Sequence, residues 1–150
     1  MCKNGFNLRK VATIAACLAV ITVFLGCEED EGIVDYGSYI VLVDYDLMVM
    51  KKDLAKRTWS GARDMCGQLR LDGFSDWRLP SKGELEILYN ERDIIGGFET
   101  SNNTKYWSSE FYSTGDFYVC MNFTDGSIGN HLDMFNQQPL AVRCVRNAFR

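Results

Sequence analysis

The segment from Trp59 to Leu88 places the strictest limits on how this chain can fold. It reads WSGARDMCGQLRLDGFSDWRLPSKGELEIL and is followed, near the end of the chain, by the short run 141–146, AVRCVR. Four residues of the segment recur at spacings of three and four: Trp59, Ala62, Cys66 and Leu69. This spacing predicts a helix with one apolar face, which directs Cys66 inward. Thr58 is placed to cap that helix.

A second helix is predicted after the turn at Pro80. Proline stops the extended segment before it. Ser81 and Glu84 have the spacing of a capping box, in which the serine oxygen accepts a backbone amide and the glutamate reaches back. We expect this helix to run to about Asn90. Arg78 lies in the turn between the helices, where its expected role is to clamp carbonyls or a carboxylate; ligand contact is the alternative.

Strands are predicted on both sides of the two helices. The apolar runs 39–45 and 47–50 are expected to form an opening hairpin. Beyond Gly96-Gly97 the pattern has a period of two, which predicts strands over 105–111, 117–123, 127–135 and 140–146, with a tight turn at Asp125-Gly126. Early strands, two helices and a run of later strands make an α+β domain with a mostly antiparallel sheet and termini that can pair.

Residues 1–26 have the layout of an export signal, with a basic head, an apolar run over 11–25 and Gly26 directly before Cys27. The apolar run is shorter than the ~20 residues that a permanent transmembrane helix needs, which favours cleavage. The stretch Phe24-Leu25-Gly26-Cys27 resembles a bacterial lipobox, so we expect lipidation of Cys27. The alternatives are a secreted protein with an incidental cysteine and an uncleaved membrane anchor.

The residues after Cys27 indicate where the protein is held. The acidic run Glu28 to Glu31 resembles the signal that sends some lipoproteins to the outer face of the outer membrane. Residues 27–37 are interpreted as a lipidated acidic tether, and residues 38–150 as one globular domain. The sequence therefore predicts an outer-membrane lipoprotein of the bacterial cell envelope, exposed at the surface and attached to the membrane through its N-terminal lipid.

Charge argues against nucleic acid as a partner. Removal of residues 1–26 leaves 13 basic and 20 acidic residues, a net charge of −7. Such a surface repels phosphate backbones, and no block of Lys and Arg offsets it. Polyanionic glycans would likewise need a local basic patch that the sequence does not display.

The quoted segments together resemble a known family, named after the C-terminal domain of the Legionella collagen-like protein. Its pattern is roughly W..A...C..L....WRLP...EL, then YWSS, then a closing VRCVR. The matching positions are Trp59, Ala62, Cys66, Leu69, 77–80, Glu84, Leu85, 106–109 and 142–146. The resemblance implies a C-type-lectin-like fold. The chain is also similar, in its RLP turn and RC ending, to the formylglycine-generating, sulfatase-modifying group. Val49 departs from the pattern, since the family usually has tryptophan there.

Three cysteines, Cys66, Cys120 and Cys144, belong to the predicted domain, and an odd number leaves one unpaired. The resemblance pairs Cys66 with Cys144, and export to an oxidising compartment permits that disulfide. Cys120 is then a free thiol, interpreted as a small buried hydrophobe with a reactive or intermolecular thiol as the alternative. No CxxC pair is present to indicate zinc.

No pattern predicts catalysis, a cofactor or a metal. The sequence has no G-x-S-x-G, P-loop or HExxH, and its one histidine, His131, has no matching triad spacing. The sulfatase-modifying enzymes depend on paired cysteines, which Cys120 alone does not reproduce. Five residues can offer oxygens to calcium, although turn formation also explains two of them: Asp116, Asn122, Asp125, Asn130 and Asp133. The lectin calcium motif is reduced to Gln138-Pro139-Leu140 without a following WND.

The aromatic and polar stretch 106–112 is the best candidate for recognition, because aromatic faces stack on sugars or anchor protein contacts. The predicted ligand-binding residues are Trp107, Glu110, Tyr112, Asp116, Asn130 and Asp133, of which Trp107 has a core position as its alternative. Binding is expected in the loops 96–103 and 126–138. We therefore expect a non-catalytic surface lipoprotein whose lectin-like domain binds an extracellular glycan or protein. The alternative is a structural or assembly subunit of a surface complex or fimbria.

Overall fold

The computed structural model describes residues 32–112, 117–132 and 138–149, without the side chains of 112 and 130–132. Within these ranges it contains nine strands, three α-helices and one 3₁₀ turn. In chain order they are β1 (Ile33–Asp35), β2 (Tyr39–Leu42), the 3₁₀ turn (Val43–Tyr45), β3 (Leu47–Met50), β4 (Leu54–Arg57), α1 (Trp59–Gln68), α2 (Lys82–Asn90), α3 (Arg92–Ile95), β5 (Lys105–Tyr112), β6 (Phe117–Asn122), β7 (Ile128–Leu132), β8 (Leu140–Val142) and β9 (Val145–Asn147).

The first sheet joins the beginning of the domain to its end. Its strand order is β1-β2-β3-β9, and each pair is antiparallel. One row crosses the whole sheet: Ile33 lies opposite Leu42, Leu42 opposite Leu47, and Leu47 opposite Asn147. The predicted hairpin is confirmed. The first and last strands share this sheet but lie at its opposite edges, and the last strand pairs with β3.

The second sheet has the order β4-β8-β5-β6-β7 and is antiparallel except where β5 runs parallel to β8. The two sheets and the helices confirm the predicted α+β class. The C-type-lectin-like part of that prediction stays a prediction.

The core consists of two clusters on opposite faces of the first sheet. On one face, Ile40 and Val49 pack with Leu85 and Leu88 of α2. On the other face, neighbouring residues of the same strands, such as Val41, pack with α1 and the central tryptophans. Because both faces are covered, β2 and β3 are apolar at successive positions and do not alternate. Val49 is fully buried without the tryptophan that the resemblance would place there.

Both helix starts have the predicted caps. Thr58 accepts a hydrogen bond from the amide of Gly61 at 3.4 Å. Ser81 Oγ accepts from the amide of Glu84 at 3.2 Å, and Glu84 Oε2 accepts from the amide of Ser81 at 2.7 Å, which completes the capping box. Local side-chain oxygens therefore satisfy the first free amides of these helices.

Arg78 clamps a carboxylate, as its position in the turn predicts. Its two terminal nitrogens donate to the two carboxylate oxygens of Glu84 at 2.7 and 2.8 Å, and Nη2 also donates to Asn147 at 3.0 Å. Burial disfavours the charge of Glu84, but the hydrogen bonds from Arg78 and Ser81 outweigh it and lower the pKa of this carboxyl. The turn is thus tied to α2 and to β9.

The disulfide implied by the resemblance is present. Cys66 of α1 is bonded to Cys144, with a Cα–Cα distance of 5.6 Å and a sequence separation of 78. Both half-cystines are fully buried. The bond fastens the first helix to the segment that leads into β9.

Four details differ from the sequence prediction. Residues 33–35, which belong to the predicted tether, form β1, because Ile33 is buried and pairs with β2. The run 39–45 is a strand only to Leu42 and then turns. A third short helix, α3, follows α2. The single strand predicted over 140–146 is two strands in different sheets, separated at Arg143 and Cys144. The part of the predicted strand 127–135 beyond residue 132 lies outside the described residues.

Candidate functional site

A bulge in β5 shapes the surface of the second sheet. Trp107 lies opposite Cys120 and Phe111 lies opposite Tyr118, so four steps along β5 correspond to two steps along β6. Such bulges bend a strand and redirect its side chains. The three residues 108–110 therefore correspond to the single residue Val119, which makes two of them extra.

Both larger helices hold this bulge in place. The indole Nε1 of Trp59 donates to the carbonyl of Ser108 at 2.8 Å, and the amide of Ser109 donates to the carbonyl of Pro80 at 2.7 Å. The amide of Lys82, at the start of α2, donates to Glu110 Oε1 at 2.9 Å. The strand directly before Phe111 is therefore fixed by contacts to two separate segments, the start of α1 and the residues that lead into α2.

Three rings next to the bulge form what we call the aromatic face: Trp59, Phe111 and Tyr118. Trp59 and Tyr118 are stacked, with ring centroids 4.2 Å apart. Phe111 lies against both, at centroid distances of 6.4 and 6.3 Å. Trp59 is buried, whereas Phe111 is 61% exposed. Phe111, the outermost ring, thus faces solvent, and the stacked rings of Trp59 and Tyr118 form a packed base beneath it.

Charged groups lie beside the aromatic face. The guanidinium of Arg63 lies 5.3 Å from the centroid of the Trp59 ring, which is the geometry of a cation–π contact. Glu110 is exposed, although one of its oxygens is used by Lys82. A positively charged and a negatively charged hydrogen-bonding group therefore lie near the exposed apolar ring of Phe111.

The six predicted ligand-binding residues differ in where the structure places them. Glu110 is exposed beside the aromatic face. Trp107 is fully buried and donates from Nε1 to the carbonyl of Arg57 at 2.8 Å, so it is a core residue and its assignment as a ligand contact is wrong. The side chains of the other four lie outside the described residues: Tyr112, Asp116, Asn130 and Asp133. Their roles stay predictions.

Sequence reasoning missed Phe111 and Trp59 as members of one surface. Phe111 is part of the aromatic stretch that was singled out, but an alternating pattern without the bulge assigns it the wrong neighbours. The apolar spacing of α1 placed Trp59 on the inward face, and it is indeed buried. What the pattern could not show is that one side of this residue also supports an exposed ring.

A polar cleft of about 250 Å³ lies at the other end of β5, near Lys105. Lys56 and Glu99 form an ion pair of 3.1 Å in its wall, and the hydrogen bond from Lys56 lowers the pKa of Glu99. Part of the wall comes from the loop 96–103, in which binding was predicted. The further lining residues are Asn102, Asn103, Thr104, Pro139, Leu140 and Ala141.

The loop beside this cleft is held by a buried polar cluster. Arg143, whose side chain is fully buried, donates to Asp53 at 2.7 Å and to the carbonyl of Gly97 at 2.6 Å. The hydroxyl of Tyr106 donates to the other oxygen of Asp53 and accepts from the amide of Glu99 at 2.8 Å. Burial and the neighbouring carboxylate raise the pKa of Tyr106 far above its ordinary value. The cluster therefore has a structural role: it positions the loop 96–103.

Two of the five oxygen donors considered for calcium have roles in the turn after β6. Asn122 accepts from the amide of Thr124 at 2.9 Å, and Asp125 accepts from the amide of Ser127 at 2.9 Å. Among the described residues, no three His, Cys, Asp or Glu side chains converge in a way that could hold a metal ion. The other three oxygen donors, Asp116, Asn130 and Asp133, lie outside the described side chains.

Cys120 is free and buried, and burial raises the pKa of its thiol. A thiol in this setting is protonated and inaccessible, which matches the interpretation as a small hydrophobe. None of the helices in ranges 32–112, 117–132 and 138–149 has the length and apolarity needed to cross a membrane.

Comparison with known proteins identifies the domain. The family model described as the Lcl C-terminal domain matches residues 41–146, which confirms the resemblance found in the sequence. This family fits a domain of a surface protein. No curated protein matches the chain.

Proposed function

The chain belongs to the Lcl C-terminal domain family, and from this premise we propose that it is a lipid-anchored bacterial surface protein whose domain binds an extracellular glycan or protein without catalysis. The lipid is attached at Cys27, and the site of action is the outer membrane, facing outward. The observation that carries the binding role is the exposed ring of Phe111 on the packed base of Trp59 and Tyr118.

Phe111 has the properties of a binding anchor. A ring that is 61% exposed leaves apolar surface in water, and covering that surface gains about 25 cal/mol per Å². Because the bulge and two neighbouring rings already restrain Phe111, a ligand that covers it pays little ordering entropy. A rigid exposed aromatic side chain with polar neighbours is the arrangement that stacks on a sugar or fills a pocket in a protein partner.

The charge of the protein limits the class of ligand that the aromatic face can bind. The chain without residues 1–26 carries a net charge of −7, and Glu110 adds a carboxylate beside the ring. Arg63, the cation at the aromatic face, is engaged with Asp64 at 3.1 Å. These features favour a neutral or basic ligand over a polyanion.

The experiment compares Phe111→Ala with a matched control in the purified protein. Glycan arrays and pull-downs from extracellular material, with and without calcium, first identify a ligand. We expect Phe111→Ala to weaken its binding at least about tenfold, which corresponds to about 1.4 kcal/mol. Tyr36→Ala, at an exposed aromatic residue that directly follows β1 of the first sheet, should leave the affinity unchanged. Absence of any ligand, or equal affinity of Phe111→Ala and wild type, would refute the proposal.

A role as an assembly subunit is the second candidate, and one observation favours it. In the described part of the chain, β7 is paired only with β6, and Ile128 at its start is exposed. An edge strand can pair with a strand of another protein. Crosslinking in cells separates the two functions: one dominant protein neighbour, together with no soluble ligand, would indicate assembly.

A further inference from the structure

The end of the first sheet at which the chain enters from Cys27 is formed by three segments. The amide of Val43 donates to the carbonyl of Gly32 at 2.9 Å. The amide of Ala148 donates to the carbonyl of Asp46 at 3.1 Å, and the amide of Phe149 donates to Asp46 Oδ1 at 2.8 Å. We call this the anchor-proximal end: Gly32, 43–46 and 148–149.

The chain between the lipid and this end is short. Gly32 is five residues after Cys27, and an extended chain covers at most about 3.6 Å per residue, so their Cα atoms are separated by no more than about 18 Å. This limit holds for any conformation of the residues between them. Since Ile33 to Asp35 are paired with β2, β1 adds nothing to the tether. A lipid on Cys27 would therefore keep the anchor-proximal end beside the bilayer.

Two exposed aromatic side chains lie at this end. Tyr45 is 46% exposed and Phe149 is 63% exposed. The four strands of the sheet are spaced at about 4.8 Å, so the whole end is only about 15 Å wide. Tyrosine, which has a polar hydroxyl on an apolar ring, favours the headgroup region of a membrane. Phenylalanine inserts its apolar ring at the boundary between headgroups and acyl chains.

The second sheet is connected from the opposite end of the first. β3 leaves the first sheet at Met50 before the chain enters β4, and the passage from β8 to β9 runs through Arg143, which donates to the carbonyl of Met50 at 2.7 Å. These crossings do not cover the anchor-proximal end. Within the described ranges, Tyr45 and Phe149 are therefore left exposed to solvent.

We infer that Tyr45 and Phe149 contact the headgroup region of the membrane that holds the lipid, as a second, non-covalent attachment. The inference rests on the lipidation at Cys27 proposed above. Asp44 lies at this end, and the acidic residues 28–31 come between Cys27 and Gly32 in the sequence; anionic lipids repel such carboxylates, so the surface that fits is zwitterionic. Two attachments also restrict how the domain can tilt on the membrane.

The test uses added tryptophans as depth reporters. The full chain is produced in a bacterium as the lipoprotein and reconstituted in phosphatidylcholine vesicles whose acyl chains are brominated near the glycerol. The variants are Tyr45→Trp, Phe149→Trp and the matched control Tyr36→Trp. Tyr36 is 51% exposed and follows β1, about 13 Å along the strand from Gly32. The three native tryptophans are buried and give a background that wild type measures.

We expect the fluorescence added by Tyr45→Trp and Phe149→Trp to be lost to bromine quenching, while that of Tyr36→Trp persists. Flotation of the vesicles, together with mass spectrometry of the N-terminal peptide that contains Cys27, reports the lipid anchor separately. If wild type floats but positions 45 and 149 are quenched no more than position 36, this inference is wrong and the anchor stands. If wild type does not float, the lipidation fails and this inference fails with it.

Discussion

Arg143 donates a hydrogen bond from Nε to Oδ1 of Asp53 at 2.7 Å, and its side chain is fully buried. The same guanidinium donates to the carbonyls of Met50 and Gly97, and it lies 3.8 Å from the centroid of the Phe98 ring. One side chain thereby joins the exit of β3, the loop after α3 and the break between β8 and β9. Loss of the Asp53 carboxylate, its counter-charge, should therefore destabilise the whole domain.

Asp53→Asn should lower the free energy of unfolding by about 3 kcal/mol or more, because it leaves a buried guanidinium without its carboxylate. Asp64→Asn is the matched control, since Asp64 pairs with Arg63 at 3.1 Å on the exposed surface, and it should change stability by less than about 1 kcal/mol. Urea denaturation of both variants measures the difference. Equal losses would show that the buried pair is not a stabilising contact.

Gly97→Ala should be destabilising for a backbone reason. Gly97 has φ of +70°, and a Cβ atom there would collide with the carbonyl oxygen of Lys51. The backbone conformation alone costs an L-residue about 1–3 kcal/mol, and the contact with Lys51 adds to it. Gly67→Ala is the control, because this helical position is open and alanine should raise stability by about 0.5–1 kcal/mol. In thermal denaturation, the melting temperature should fall for Gly97→Ala and rise for Gly67→Ala. A Gly97→Ala variant more stable than wild type would contradict the structure.

Removal of the disulfide should cost a large part of the stability. In the chain-entropy account, a bond that closes 78 residues stabilises the fold by about 4–4.5 kcal/mol, so the double variant Cys66→Ala/Cys144→Ala should lose that amount. Cys120→Ala, at the free buried thiol, should lose only about 1 kcal/mol. Denaturation without reductant provides the comparison. A loss for Cys120→Ala as large as that of the double variant would mean that the pairing is different.

Glu84→Gln should change how stability depends on pH. The folded state lowers the pKa of Glu84 below its ordinary value of 4.5, so the carboxylate stabilises the fold above that pH and loses this contribution as the pH falls through the lowered pKa. At neutral pH the variant should be less stable by roughly 1–3 kcal/mol, the range for hydrogen bonds to charged groups. The difference in the free energy of unfolding between the variant and wild type, which we call the gap, should disappear as the pH falls.

Chemical denaturation across the acid range measures this gap. Glu86→Gln, at an exposed position of the same helix, is the control and should stay within about 0.5 kcal/mol of wild type at neutral pH. A gap between Glu84→Gln and wild type that is constant with pH would show that the ion pair with Arg78 does not couple folding to this carboxyl.

Features that depend on near neighbours in the chain could be predicted. The caps at Thr58 and Ser81, the inward position of Cys66, the turn at Asp125 and the clamp by Arg78 involve partners a few residues away or a fixed helical spacing. Their energies are set locally, so the residue pattern is sufficient. The pairing of Cys66 with Cys144 came from the family resemblance, which records a contact that spacing alone does not specify.

Features decided by distant partners could not be predicted. Trp107 and Phe111 lie on the same strand, yet one is fully buried and the other exposed, because a bulge held by Trp59 and Pro80 changes the register between them. The run 140–146 is broken because Arg143 must reach Asp53 across 90 residues of sequence.

The sequence by itself determined the α+β class, the helices and most strands of this protein, through periodicity and capping that act within a few residues. Only the tertiary structure decided which strands share a sheet and which aromatic side chains face solvent. Those outcomes follow from burial and hydrogen bonding between residues far apart in the chain, and no local pattern encodes that free energy.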